Sequence, residues 1–238
     1  MSIFKISPLT PAQTSFGIVE DNVAGIGTRW HKVWGDAQEQ LLDVAAKLTL
    51  TVTGSTPTMV QSLTSGEAFT LTTPATDYAG LNGSFLGEIV KLDAGKPFKL
   101  YGKWKCGEAT QSDFLFGLAA TKTDLLAVSD GHAISPSVEG VFFTKLDNAT
   151  GIYAKTHLAG VETNTALVGT MDTSAHEYEI DWDGTILTFY LDGVKVAAFS
   201  TGLPTVDLTL SFNVRAGSAA ANTFTIYDPK PRVIQARS

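Results

Sequence analysis

The sequence predicts an all-β fold, a two-sheet sandwich or a barrel, on three observations. Short apolar or alternating segments recur from residue 48 onward, separated by polar, turn-rich connections. Glycine is frequent at 22 of 238 residues, threonine is abundant, and helix formers thin out after residue 50. That composition suits many short strands joined by tight turns. Period-two patterning is explicit in "PFKLYGKWKC": Phe98, Leu100, Trp104 and Cys106 share one parity, and Lys99, Tyr101, Lys103 and Lys105 share the other. The first set should enter a core and the second should face solvent or a partner.

In chain order, residues 1–27 read as a separate N-terminal arm: "PLTPAQTSFG" and "DNVAGIG" carry breakers and little periodicity. Such a segment is either an extended attachment arm anchored by Ile3, Phe4, Ile6, Leu9 and Phe16, or a loose leader. Residues 28–238 form the sandwich domain. "WGDAQEQLLDVAAKLTLTVTG" opens with at most a short helix, with Ala37, Leu41, Val44 and Ala45 on one face and Asp36 as its cap, or with an irregular entry, before alternation begins at "KLTLTVTG". Strands are then expected at "EAFTLTT", "GEIVKL", "PFKLYGKWKC", "SDFLFGLAA", "LLAVS", "GVFFTKL", "GIYAKTH" and "TALVGT". They continue at "HEYEIDW", "TILTFYLDG", "VKVAAFS", "LTLSFNVRAG" and "ANTFTIYD". Within "PFKLYGKWKC", Gly102 falls on the core parity, where it leaves space for an aromatic neighbour or marks a bulge.

The net charge of -7, with basic residues scattered, gives no reason to expect a nucleic-acid partner. The single cysteine, Cys106, excludes an internal disulfide framework and reads as a small buried residue. No apolar run approaches membrane-spanning length, and "MSIFKISPLTPAQTSFG" lacks the basic-then-apolar pattern of a signal peptide. The expectation is a product that stays in the cytoplasm that makes it, or enters a particle assembled there.

"HEYEIDWDGTILTFYLDG" places Glu177, Glu179 and Asp181 on one parity, opposite His176, Tyr178, Ile180 and Trp182. The aromatic face should point inward and the acids outward. Turns at Asp183-Gly184 and Asp192-Gly193 then make a three-stranded meander with "VKVAAF". The stretch resembles a segment of concanavalin-like jelly rolls, including laminarinase-type glucanases, through His176, Tyr178, Trp182, Tyr190, Asp192 and Gly193. In that family the segment is scaffold and cleft wall, and the catalytic carboxylates stand on another strand as Glu-x-Asp followed by Glu. "EIDWD" matches that motif only in part, so the resemblance implies the fold without the activity.

A broader resemblance joins "LTLTTPATDYAGL", "KLDAGKPFKLYGKWKCGEATQSDFLFGLAATKTDLLA", "GVFFTKLDNAT" and "LSFNVRAGSAAANTFTIYD", in that order, to the stretch above. Over roughly residues 65–230 the chain is similar to jelly-roll virion proteins of tailed bacteriophages, the capsid and minor capsid proteins. The resemblance implies a non-enzymatic decoration or cement protein on the capsid surface. Its partner would be the major capsid protein, and it would self-associate there, a trimer being one arrangement that symmetric sites would favour.

The rival function is a lectin-like carbohydrate-binding module, with Tyr101, Tyr153 and Tyr190 as the glycan or protein contact face. Asp181, Asp183 and Asp192 are the set that adjacent turns could offer to calcium, but the regular calcium loop is absent and ordinary turn chemistry explains them. His31, His132, His157 and His176 are too dispersed for a zinc motif, and although Ser129, Asp130 and His132 are triad residue types, their adjacency in sequence is no evidence for a triad. No cofactor and no catalytic residue is expected.

Overall fold

The computed structural model describes residues 29–32, 48–61, 67–120, 125–126, 134–227 and 232–237. The expected arm and the expected short helix lie outside these residues. The described strands are β1 (Arg29–Lys32), β2 (Leu48–Thr53), β3 (Thr58–Gln61), β4 (Glu67–Thr72), β5 (Gly80–Val90) and β6 (Phe98–Cys106). They continue with β7 (Ser112–Ala119), β8 (Gly140–Lys145), β9 (Gly151–Leu158), β10 (Val161–Thr170) and β11 (Ala175–Trp182). The last are β12 (Leu187–Leu191), β13 (Val194–Phe199), β14 (Leu208–Ala216), β15 (Thr223–Tyr227) and β16 (Arg232–Arg237).

They pair antiparallel into two sheets. Sheet A has nine strands, ordered β13-β12-β11-β6-β15-β4-β3, with β16 sharing the edge of β6 with β15 and pairing β1. Sheet B has seven, ordered β10-β9-β8-β7-β14-β5-β2. Two meanders, β7 to β10 and β11 to β13, are joined by chain crossings from one sheet to the other. Of "LLAVS" only Leu125 and Leu126 lie among the described residues, and Leu126 makes a single antiparallel bridge to Ile134. Short β1, β3 and β16, and the first half of β10, carry too little apolar alternation to be read as strands.

The core lies between the sheets and is dominated by aromatic rings. From sheet A, Trp104 packs on Phe114, Phe116 and Phe212 of sheet B at centroid separations of 5.6, 5.6 and 5.2 Å. Tyr178 packs on Phe114 at 5.2 Å and on Phe143 at 5.1 Å, and Phe143 meets Phe189 edge-on at 5.1 Å. Each such ring removes roughly 150–250 Å² from water. At ~25 cal/mol per Å² this is about 4–6 kcal/mol of gross driving force per ring, before entropy is subtracted. β6 alternates buried and half-buried residues throughout, as its parity predicts. Gly102 makes room for a ring: a Cβ there would lie 2.6 Å from Phe116 Cζ and 2.9 Å from Trp104 Nε1. Cys106 is buried, and burial pushes its thiol up to about 12.

β7, β8 and β14 are buried on both faces. Their outward residues Leu115, Ala119 and Phe142 form a second apolar cluster with Leu125, Leu126, Ile134 and Val138. Leu125, Leu126, Ile134 and Val138 of the β7–β8 connection thus lie as a strap across the outside of sheet B. Ser135 N donates to Leu125 O, Ala120 N donates to Glu139 O, and the buried Arg215 guanidinium donates to Leu126 O at 2.7 Å.

Candidate functional site

Two outward faces carry polar chemistry. On sheet A, Tyr178 and Trp182 point inward and are buried, while Glu177, Glu179 and Asp181 point outward. The β6 register sets Lys103 against Glu177, Tyr101 against Glu179, and Lys99 against Asp181. Lys99 Nζ lies 2.9 Å from both Glu179 Oε1 and Asp181 Oδ2, and Lys103 Nζ lies 3.0 Å from Glu177 Oε1. Partial burial works against the charge of Lys99, but the hydrogen bonds to Glu179 and Asp181 outweigh it and hold its pKa above the ordinary value. Three like charges on one strand face are tolerable because cations separate them. The register also places Tyr101 and Tyr190 on either side of Glu179.

On the opposite parity of β11, near the strand's start, His176 sits between two carboxylates. Its Nδ1 lies 2.7 Å from Asp192 Oδ2 and its Nε2 3.1 Å from Asp172 Oδ1. Asp192 Oδ1 also accepts the Glu177 N–H at 2.8 Å. Asp192 and Gly193 both take positive φ, 52° and 75°, the backbone of a tight hairpin turn. Asp183 accepts the N–H groups of Thr185 and Ile186, and those bonds hold its carboxyl below the ordinary range. Asp181, Asp183 and Asp192 therefore have three separate sets of partners. Among the described residues no group of three His, Cys, Asp or Glu side chains is arranged to hold a metal ion.

The outer face of sheet B is different. Strand register lines up Asn82, Asn213, Leu115, Thr144, Tyr153 and Leu167 from β5 to β10. At the β5–β14 end the side chains satisfy one another in part: Ser84 Oγ and Ser211 Oγ are 3.0 Å apart, and Asn213 Nδ2 donates to Asn82 Oδ1 at 3.3 Å. Among the described residues Asn213 Oδ1 has no hydrogen-bond partner. In the middle the strap covers Leu115 and Phe142. At the β9–β10 end the face opens. Tyr153 is half-buried, and Leu167 beside it is 64% exposed. Gly151 supports them both, since a Cβ there would meet Leu167 Cδ1 and the Tyr153 ring at 3.0 Å. Lys155 Nζ stands 5.6 Å from the Tyr153 ring centroid and 2.6 Å from Glu162 Oε2. Thr144, on the strap side of Tyr153, is fully buried, and among the described residues its hydroxyl has no hydrogen-bond partner. His157, on the same face of β9, is buried, and burial holds its pKa below the ordinary value.

The three tyrosines expected to share a contact face are thus divided, with Tyr101 and Tyr190 on sheet A and Tyr153 on sheet B. The separation follows from strand order, because β9 joins the β7–β10 meander and not the β11–β13 one. Trp104, Tyr178 and Trp182 are core, and Asp192 and Gly193 are the turn. Ile3, Phe4, Ile6, Leu9 and Phe16 lie outside the described residues. Sequence reading passed over Thr144, Lys155, His157 and Leu167 as site residues. The signal in "GIYAKTH" is its parity, which sets Tyr153, Lys155 and His157 opposite Ile152 and Ala154.

The glycosyl hydrolases family 16 model matches residues 143–225, from β8 into β15, less than half of the chain. No curated protein matches the sequence. The Emp47p carbohydrate recognition domain superposes with a TM-score of 0.55 at 10% identity, covering 81% of this chain and 89% of its own. The Bacillus licheniformis β-glucanase superposes with a TM-score of 0.52 at 16% identity, over 92% of this chain and 96% of its own. A protein of unknown function from Shewanella oneidensis MR-1, SO2946, gives 0.51 at 13% identity, over 88% and 86%. At these identities the likeness establishes architecture alone: the chain is an all-β, two-sheet antiparallel jelly-roll sandwich of the concanavalin-like kind.

Proposed function

We propose that this protein is a non-catalytic carbohydrate-binding sandwich that uses the β9–β10 end of the outer face of sheet B. The observation that carries this reading is the Tyr153–Leu167 platform at the open end of that face, with Lys155 and Glu162 beside it. A sugar ring offers an apolar face of C–H groups and a rim of hydroxyls. An exposed aromatic–aliphatic surface with a few fixed polar groups complements both. Sheet A offers less, since its lysines and acids already satisfy one another. The shared architecture with the Emp47p carbohydrate recognition domain supports the same reading.

Glycoside hydrolysis needs two carboxylates flanking the scissile bond, one of which retains its proton. The acids of the late hairpin are committed elsewhere: Glu177 to Lys103, Glu179 and Asp181 to Lys99, Asp183 to backbone N–H groups, and Asp192 to His176. That commitment supports a binding role without catalysis. Titration of the full chain against β-1,3- and β-1,4-linked gluco-oligosaccharides, with Tyr153→Ala as control, tests the proposal. Saturable binding lost in the variant supports it, and hydrolysis of those oligosaccharides would overturn it.

A second reading, capsid decoration on a phage head, is favoured by exposed apolar residues on edge strands. Val60, Val161 and Val194 are 55%, 62% and 63% exposed, on β3, β10 and β13. A protein neighbour such as a major capsid protein or a second copy would cover them. The two readings are compatible in a surface-displayed lectin. A density map of intact virions with no copy of this sandwich on the head would remove the second and leave the first.

A further inference from the structure

We propose that β2 pairs with β2 of a second copy of this chain, antiparallel about a two-fold axis, so that sheet B runs unbroken from one protomer into its partner. Two observations carry this, and neither depends on the carbohydrate reading. The core side of β2 is left open. Register sets Val52 opposite Leu81 of the main core, and Leu50 opposite Gly83, whose missing Cβ makes room for the Phe212 ring. Both side chains therefore stand on the inner face of sheet B, yet Leu50 is 40% and Val52 44% exposed. The edge of β2 is also unguarded. Among the described residues no strand pairs with its far side. Edge strands are ordinarily blunted by charge, bulges or brevity. β1 carries Arg29, His31 and Lys32, and β3 has only four residues. β10 carries Glu162 and shifts register between Glu162 and Asn164 and again between Leu167 and Gly169; β13 carries Lys195 and shifts against β12. β2 has six residues, "LTLTVT", with no charge and an unbroken register to β5.

A second copy is the occupant because the strand is complementary to itself. A two-fold axis perpendicular to the sheet makes the two strands antiparallel and brings each face beside the same face of the partner. Centred on Thr51, the pairing sets Leu50 opposite the partner's Val52, Val52 opposite the partner's Leu50, and Thr51 opposite the partner's Thr51. Apolar residues then close the core side and threonines meet on the other, and both are favourable cross-strand pairs. No like charges meet across the axis, since β2 has none. A strand of six residues spans about 20 Å, so the contact is small beside that of a permanent dimer and the association depends on concentration. β10 forms the opposite edge of sheet B, so the joined sheet leaves the Tyr153 end of each copy free. If the carbohydrate reading holds, the dimer is bivalent.

Sedimentation equilibrium of the full chain from about 1 μM to about 1 mM tests the pairing. The mass should rise from 25.3 kDa toward twice that value with concentration. Val52→Lys, which sets an ammonium against the partner's Leu50, should weaken dimerisation at least about tenfold. Thr51→Lys, on the other face of the strand, puts two like charges opposite each other and should do the same, so that a folding defect in one variant does not decide the result. Val194→Lys, at the β13 edge of sheet A and 63% exposed, should leave dimerisation unchanged. A chain that stays monomeric at every concentration would overturn the proposal. So would a dimer indifferent to both β2 variants while they unfold in urea as the wild type does, or one that Val194→Lys disrupts. Each of these results leaves the carbohydrate reading intact, and absence of binding to every oligosaccharide would leave the dimer standing.

Discussion

His176 should carry a positive charge in the folded protein, and stability should depend on it. Both ring nitrogens face carboxylate oxygens, at 2.7 Å from Asp192 and 3.1 Å from Asp172. An imidazole that donates from both nitrogens is the protonated form. Burial opposes the charge, but the hydrogen bonds and charges of Asp192 and Asp172 outweigh it and raise the pKa above the ordinary value of 6.5. A group whose folded pKa is raised contributes stability that is complete below its unfolded pKa and is lost as pH rises through the folded one. Charge-assisted hydrogen bonds are worth about 1.5–3 kcal/mol when shielded. The Asp172 and Asp192 side chains are 58% and 48% exposed, and solvent screening brings the pair down to about 1 kcal/mol. For a domain of this size that is a Tm difference of about 2–4 °C. The comparison is wild type against His176→Gln, which keeps a donor but cannot ionise. Thermal unfolding is followed from about pH 5.5, above the ordinary carboxylate range, to about pH 8.5. The gap should be widest at the acid end and close as pH rises. Asp192→Asn, which tolerates the positive φ of 52°, should reproduce the loss without opening the turn. A gap that is the same at every pH, or one that widens toward alkali, would refute the assignment of the charge.

Other consequences are as direct. Gly102→Ala pushes a methyl group to within 2.6 Å of Phe116 Cζ and should cost about 1–3 kcal/mol in urea unfolding without altering secondary structure. Cys106, buried with its thiol pushed up to about 12, should resist a thiol reagent in the native protein and react at the rate of global unfolding. Lys99→Met removes the cation shared by Glu179 and Asp181. Because Lys99 is 41% exposed, the loss should stay below about 1 kcal/mol, and glycan binding should be unchanged. Pure protein should leave β-glucan intact; hydrolysis that disappears in Glu179→Gln would put the chemistry back on sheet A.

How far the sequence could be read depended on which faces of each strand are buried. β6 and β11 have one core face and one wet face, so alternation alone assigned Trp104, Tyr178 and Trp182 inward and Glu177, Glu179 and Asp181 outward. β7 and β8 are buried on both faces, and "SDFLFGLAA" and "GVFFTKL" announce strands without saying which residues face which layer. Leu115 and Phe142 belong to the second cluster, and nothing local distinguishes them from Phe116 and Phe143 of the main core. The strap hid for the same reason: Leu125 and Leu126 look like a strand because they are apolar, yet they are apolar to sit on top of one. Strand order is the other missing quantity. Parity could show that Tyr153, Lys155 and His157 share a face, but not that β9 lies in a different sheet from Tyr101 and Tyr190. The candidate site exists only where those two unknowns meet. Tyr153 becomes a platform because β10 brings Leu167 alongside it, and the rest of that face is covered because a stretch of chain from before β8 packs on Leu115. Chemistry on a sandwich is therefore set by long-range register, and a local motif such as "EIDWD" can imitate a site while its carboxylates are occupied with lysines on the neighbouring strand.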